Sequence, residues 1–424
     1  MISPEQVFAK CAWRLVPLIT LLYFVNIMDR VNVGFAALTM NRDLGFSPAV
    51  YGFGSGVFFL GYALFQIPSN AILERVGARR WIFLILLLWG VLSASNGFVR
   101  SAHSFYAVRV LLGLVEAGFY PGMILYLTYW FTRASRGRLV AIFMAAVPAA
   151  SIVGGPLSSL ILGMNGYHGL AGWQWLFLIE GAPAILLAFA VLMFLPDGPG
   201  KAAWLSQDER AVIARELSAE DTSQHRDFWA ALTDIKVLGL GIVYFGYSAG
   251  LYGVGLWLPQ IVKGMGVSDL ANGFVVALPY IVAAIAMIWW GRHSDKTGER
   301  IWHVALPGML MLAGLIVASL SHANLVIFLA LSLVQVGALS LQGPFWVLPS
   351  TFLGGAAAAS GIALVNSIGT GGGGFVGPYV LGQMREMTGG FAAGMAALAI
   401  GPILTVSIVL ILGRTGSRLA AAKG

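Results

Sequence analysis

Twelve stretches of mostly apolar residues succeed one another along this 424-residue chain. Each is long enough to cross about 30 Å of hydrocarbon as a helix rising 1.5 Å per residue. They run approximately over residues 15–38, 50–73, 81–99, 104–131, 139–163, 173–195, 237–261, 270–290, 302–320, 324–352, 358–383 and 391–413. In lipid the backbone has to satisfy its own hydrogen bonds, which leaves helices or a closed barrel. A barrel needs strands of about ten residues that alternate polar and apolar, and stretches such as Trp81–Leu92 and Pro183–Leu195 do not alternate. The pattern therefore predicts an all-α integral membrane protein of twelve transmembrane helices. Composition agrees: 58% of residues are hydrophobic and 10% charged, against about 25% charged in a soluble domain, which excludes a water-soluble enzyme.

The only long polar stretch, Pro196–Lys236, holds 13 of the 43 charges in its 41 residues. It divides the chain into a six-helix bundle over 1–195, a cytoplasmic linker over 196–236 and a second six-helix bundle over 237–424. Within the linker, Ser206 and Glu209 form a capping-box pattern that opens an amphipathic run to Leu217, so a short helix on the membrane surface is expected. Assigning loops alternately to two sides places 19 Lys/Arg with the termini and linker, and only Arg42, Arg100, Lys263 and Arg385 opposite. That asymmetry predicts cytoplasmic termini and explains the net charge of +7 without a nucleic-acid partner. Met1–Arg14 is mostly polar and the stretch after it is long enough to stay as a span, so no cleaved leader is expected.

Cys11 is the one cysteine, so no internal disulfide can form, and no Cys/His spacing suggests a metal. HExxH is absent as well, and the GxSxG match at Gly246–Gly250 lies in the middle of an apolar span rather than at a strand-to-helix turn, which argues against a membrane enzyme. No cofactor is expected, and the six histidines carry no assigned role.

An internal repeat supports the two halves. Between spans 2 and 3 the chain reads Glu74-Arg75-Val76-Gly77-Ala78-Arg79-Arg80, and 221 residues later, between spans 8 and 9, it reads Asp295-Lys296-Thr297-Gly298-Glu299-Arg300. The second loop, from Gly291, matches in full the pattern GxxxD(R/K)xGx(R/K) of the major facilitator superfamily, and the first departs at its leading glycine and at Glu74. The whole chain resembles that superfamily. Within it, Asp29–Ala36 (DRVNVGFA), Arg109–Gly118 (RVLLGLVEAG) and Trp173–Glu180 (WQWLFLIE) resemble the anion:cation symporter family, in the branch handling tartrate, phthalate or hydroxyphenylacetate-type acids. The resemblance implies a monomeric symporter of the bacterial inner membrane that imports a small organic acid with protons. A facilitator of the same fold that exports aromatic acids or drugs is the rival expectation.

Five ionisable residues fall inside spans: Asp29, Arg30, Arg109, Glu116 and Glu180. Each costs at least about 2.5–3.5 kcal/mol at mid-membrane, so each should face a cavity or a partner. Arg30, with its planar guanidinium, is the first candidate to grip a carboxylate. Arg109 and Glu116 are seven residues apart and so share a helix face. Arg109 then either supplies a second positive charge, which would suit a dicarboxylate, or holds Glu116. A carboxyl that gains and loses an arginine partner during a cycle changes its proton affinity, and the resemblance gives that coupling role to Asp29 and Glu116. Glu180 is a further coupling candidate, or a packing residue at a helix bend.

Spans 7 to 12 contain no comparable charge, so neutral recognition is expected there: Tyr252 and Trp257 in span 7, Gln342 and Trp346 in span 10, and Asn366 in span 11. Tyr23 in span 1 and Gln66 in span 2 join them as binding candidates. The charged loop residues Glu74, Arg75, Arg79, Arg80, Asp295, Lys296 and Arg300 orient the spans, and the resemblance adds a cytoplasmic latch that stabilises an outward-open form. Glycines crowd span 11 at Gly369 and Gly371–Gly374, and span 4 at Gly113, Gly118 and Gly122, where small residues permit close helix contact and bending.

Overall fold

The computed structural model describes residues 3–219, 234–352 and 357–421. Among them every regular element is helical, as an apolar backbone in lipid requires. Eleven helices are long and apolar enough to cross a membrane. Spans 1 to 6 are Pro4–Leu44, Pro48–Val76, Ala78–Phe98, Ala102–Thr128, Ser135–Leu162 and Gly172–Phe194. Spans 7 to 10 are Ile235–Gly264, Asp269–Thr297, Ile301–Leu320 and Asn324–Pro349, and span 12 is Ala392–Arg414.

The expected eleventh span is present in pieces: Ala357–Asn366, a wide-turned π segment Ser367–Gly373, and Gly374–Thr388. Its glycines explain the interruption. A Cβ at Gly369 would meet the Tyr244 ring, and one at Gly373 would lie 2.5 Å from the Phe245 carbonyl oxygen. Span 11 therefore lies directly against span 7 only because these positions carry no side chain, and a π turn marks the place, as such turns often do at functional sites.

The halves meet most intimately at the end opposite the termini. There the Tyr51 hydroxyl donates to the Leu256 carbonyl at 2.7 Å, the Ala49 N–H donates to Glu386 Oε2 at 2.7 Å, and the Gly273 N–H donates to Ser159 Oγ at 2.8 Å. Gly155 faces Gly273 and Gly52 faces Gly382 so closely that backbone touches backbone across the divide. This end is closed. Deeper in, the Asn366 side-chain amide donates to Gln66 Oε1 at 2.9 Å, again across the halves.

The linker docks on the first half rather than standing apart. Its helix, Gln207–Ser218, opens with the expected capping box, since the Glu209 N–H donates to Ser206 Oγ at 3.2 Å and the Ser206 N–H donates to Glu209 Oε2 at 2.8 Å. Glu209 also pairs with Lys10 at 2.8 Å, and the Lys10 ammonium and the cap hydrogen bonds hold its carboxyl below the usual carboxylate range. Span 1, at 41 residues, is about 60 Å long and overshoots the hydrocarbon, which supplies the extra surface that the linker helix covers. Trp204 stacks on Trp130 at 5.6 Å with the rings 8° apart, Arg14 lies over Trp204, and Asp197 Oδ1 accepts from the Arg79 N–H at the start of span 3. The expected linker boundary at 236 falls within span 7, and residues 220–233 of it lie outside the described residues.

Candidate functional site

Between the halves lies a cavity of about 100 Å³. Spans 1, 2, 4 and 5 line one side and spans 7, 8, 10 and 11 the other. Of the nine binding candidates, the cavity wall includes Arg30, Tyr23, Tyr252, Gln342, Trp346 and Asn366.

Arg30 is the charged group on that wall. Its guanidinium pairs with Glu116 at 3.1 Å, donates to Asn26 Oδ1 at 3.4 Å, and lies 4.8 Å from the Tyr62 ring centroid. The Asn26 amide, one helical turn before Arg30, donates to the same Glu116 oxygen at 2.9 Å. Glu116 is fully buried, and its other oxygen, Oε1, has no hydrogen-bond partner among the described residues. A buried carboxylate oxygen left bare is costly, and a proton or a polar ligand would relieve it.

The other intramembrane charges sit behind this wall. Asp29 faces span 3, where Trp89 Nε1 donates to Oδ2 at 2.6 Å and the Ser93 hydroxyl donates to Oδ1, and Asn32 of its own span donates to Oδ1 at 3.0 Å. Adjacent helical residues point about 100° apart, so Asp29 and Arg30 do not share a face. Arg109 is buried, donates to the Gly54 carbonyl at 3.4 Å, and lies 4.8 Å from the Phe58 ring centroid. It neither lines the cavity nor forms an ion pair with Glu116 among the described residues. The second positive charge expected in the pocket is therefore absent from its wall: Arg109 is buried between spans 2 and 4, beside the Phe58 ring. Glu180 accepts from the Ser158 hydroxyl at 2.8 Å, in the packing between spans 5 and 6.

Two further candidates lie elsewhere. Gln66 joins the halves through Asn366 without lining the cavity. Trp257 belongs to the closed end, where it donates to the Pro378 carbonyl at 3.1 Å, meets Tyr51 edge-on and lies under Arg385. Sequence reasoning passed over Asn26, Tyr62, Tyr120, Tyr244, Tyr280 and Thr370. Asn26 carried a signal, being four residues before Arg30 and so on its face. The tyrosines carried none, since an aromatic ring in a span packs against lipid as readily as against a cavity.

In the charged loops, Asp295 pairs with Arg300 at 2.9 Å and Arg300 also donates to Ser294 Oγ at 2.6 Å. Glu299 accepts from the Trp302 and His303 N–H groups at 2.7 and 3.2 Å. Glu74, Arg75, Arg79, Arg80 and Lys296 are exposed.

Two helical halves closed at one end around a central cavity, with one arginine of a buried ion pair on its wall, define a multi-pass membrane transporter. The sequence profile of the Major Facilitator Superfamily matches residues 19–378, and the chain belongs to that family. It is 49% identical, over 97% of its length and 95% of the relative's, to a protein of Agrobacterium vitis described as "Putative tartrate transporter". It is 39% identical, over 97% of its length and 96% of the relative's, to the "Quinolone resistance transporter" of Acinetobacter baumannii. Among solved structures, a bacterial homologue of the human lysosomal transporter Spinster superposes with a TM-score of 0.74 at 19% identity, covering 95% of this chain and 96% of that one. The chain is thus a transporter and not an enzyme.

Proposed function

We propose that this protein imports a small organic anion of the tartrate type together with protons across the bacterial inner membrane, by alternating access. The observation that carries the reading is that Arg30, on the cavity wall, is paired with Glu116 buried behind it. A substrate carboxylate needs the Arg30 guanidinium, which Glu116 already holds, so the two acids compete for one cation. Protonating Glu116 ends its claim, and the bare Oε1 has room for the proton. Substrate and proton then load together, and only the fully loaded or fully empty site is free of an unmatched buried charge. The A. vitis relative supports an acid as cargo.

Asp29 and Glu180 act in this reading from behind the wall, setting the field felt by Arg30 and Glu116, and Arg109 balances Asp29. With the termini cytoplasmic, the closed end is periplasmic and the cavity is poised toward the cytoplasm. The loops around Glu74 and Asp295 close that side in the outward-open form. The A. baumannii relative suggests export of a drug instead, which efflux rather than accumulation in the vesicle assay below would favour.

Uptake of labelled tartrate into proteoliposomes under an imposed pH gradient tests the proposal. Arg30→Ala abolishes uptake, and Glu116→Gln retains counterflow exchange but loses accumulation. Accumulation that survives in Glu116→Gln removes Glu116 from the coupling role.

A further inference from the structure

Resting on that reading, we infer that the cavity recognises a hydroxylated acid through one ionised carboxylate and its hydroxyls, and has no second cationic seat for a second carboxylate. Arg30 is the one cation on its wall among the described residues. Arg109 does not reach the wall and lies beside Phe58, with Asp29 in the same half to offset it. With Glu116 and Glu180 both protonated, the five groups Asp29, Arg30, Arg109, Glu116 and Glu180 sum to +1, which one carboxylate neutralises. A second carboxylate finds no cation there, and because an unmatched buried charge is costly, tartrate's second carboxyl enters protonated, carrying one of the co-transported protons.

Facing Arg30, the second half presents Tyr252, Tyr280 and Gln342. No hydrogen-bond partner is described for the hydroxyls of these two tyrosines or for the Gln342 amide. Beside them, the Thr370 hydroxyl lies 2.8 Å from the Tyr244 hydroxyl and 3.1 Å from Asn366 Oδ1. Every one of these groups both donates and accepts. That matches an alcohol, which also does both, better than a carboxylate, which only accepts. A substrate without hydroxyls leaves these groups unpaired in a space from which it has displaced water, and sites built to hydrogen-bond a hydroxyl discriminate strongly against analogues lacking it.

Three acids of nearly equal size separate the terms: tartrate, threonate, in which one carboxylate becomes a hydroxymethyl, and succinate, which keeps both carboxylates and loses both hydroxyls. Inhibition of labelled tartrate uptake into proteoliposomes is expected within about threefold for threonate and unlabelled tartrate, and at least tenfold weaker for succinate. Tyr280→Phe and Gln342→Ala should weaken tartrate and threonate severalfold while leaving the inhibition constant of succinate unchanged. With tartrate uptake intact and dependent on Arg30, succinate matching tartrate, or threonate failing to inhibit, overturns this inference and leaves the proposed function standing. Absence of uptake for tartrate and of binding for all three acids takes down both.

Discussion

Closure of the end opposite the termini depends on glycine meeting glycine across the halves, and one methyl group should undo it. An ideal Cβ on Gly273 would lie 1.9 Å from the Gly155 carbonyl oxygen, and one on Gly155 would lie 2.6 Å from the Gly273 oxygen. Real Cβ atoms essentially never approach within 3.0 Å, so Gly273→Ala forces a separation of at least 1.1 Å (3.0 minus 1.9). Both obstructing atoms are backbone, so no rotamer change relieves the clash, and spans 5 and 8 have to part. Overpacking of this kind costs about 1–3 kcal/mol, which disfavours the closed end by about 5- to 150-fold. Alanine is the better helix former by about 1 kcal/mol, so the substitution does not weaken span 8 itself. The assay is a spin-label distance between Tyr167 and His322, each replaced by cysteine in a Cys11→Ala background, with uptake measured in parallel. The expected result is a longer, broader distance distribution and at least a tenfold fall in uptake. Gly264→Ala, with nothing within 4 Å of its Cβ, should behave as wild type. A Gly273→Ala protein with the wild-type distance and full uptake would refute the argument that this contact seals the end.

Three other outcomes follow from single contacts. Glu386, beyond the apolar stretch of span 11, caps the start of span 2 in the other half, and the Ser47 hydroxyl and the Ala49 N–H hold its carboxyl below the usual range. A depressed carboxyl contributes stability that is lost as pH falls through its folded value. Spin-label distances at this end should therefore stay constant from about pH 8 to pH 5 and lengthen only below about pH 4, and Glu386→Gln should remove that response. Trp89→Phe takes a donor from buried Asp29 and should lower stability by about 1–3 kcal/mol, seen as a reduced melting temperature, with little change in the KM for tartrate because Trp89 does not touch the cavity. Trp204→Ala removes the stack on Trp130, worth about 0.5–1.5 kcal/mol, and should make proteolysis within the linker severalfold faster while leaving the spans resistant.

Hydropathy alone could announce twelve crossings and the capping box at Ser206, because span length and helix capping are local properties of consecutive residues. The charges inside spans were equally legible: an arginine in a span has to find a cavity or a partner wherever the helix ends up. Direction was harder. The order Asp29-Arg30 shows that the two side chains diverge, but which of them meets the cavity depends on how span 1 is rotated against span 3. The seven-residue spacing of Arg109 and Glu116 correctly put both toward the bundle interior, yet their partners come from other helices, Gly54 for one and Arg30 with Asn26 for the other. No spacing within span 4 encodes that choice. Periodicity likewise reports that a tyrosine is on a face, never which neighbour covers it.

What the chain determines by itself is therefore the membrane, the two halves, and the few places where charge is buried at a cost. Only packing decided that Arg109 is buried beside Phe58 away from the cavity, that Arg30 alone among those charges reaches it, and that unpaired hydroxyls gather opposite it. The reason is physical: burial of charge is enforced residue by residue, whereas the shape and polarity of a cavity are shared among eight helices that are distant in sequence.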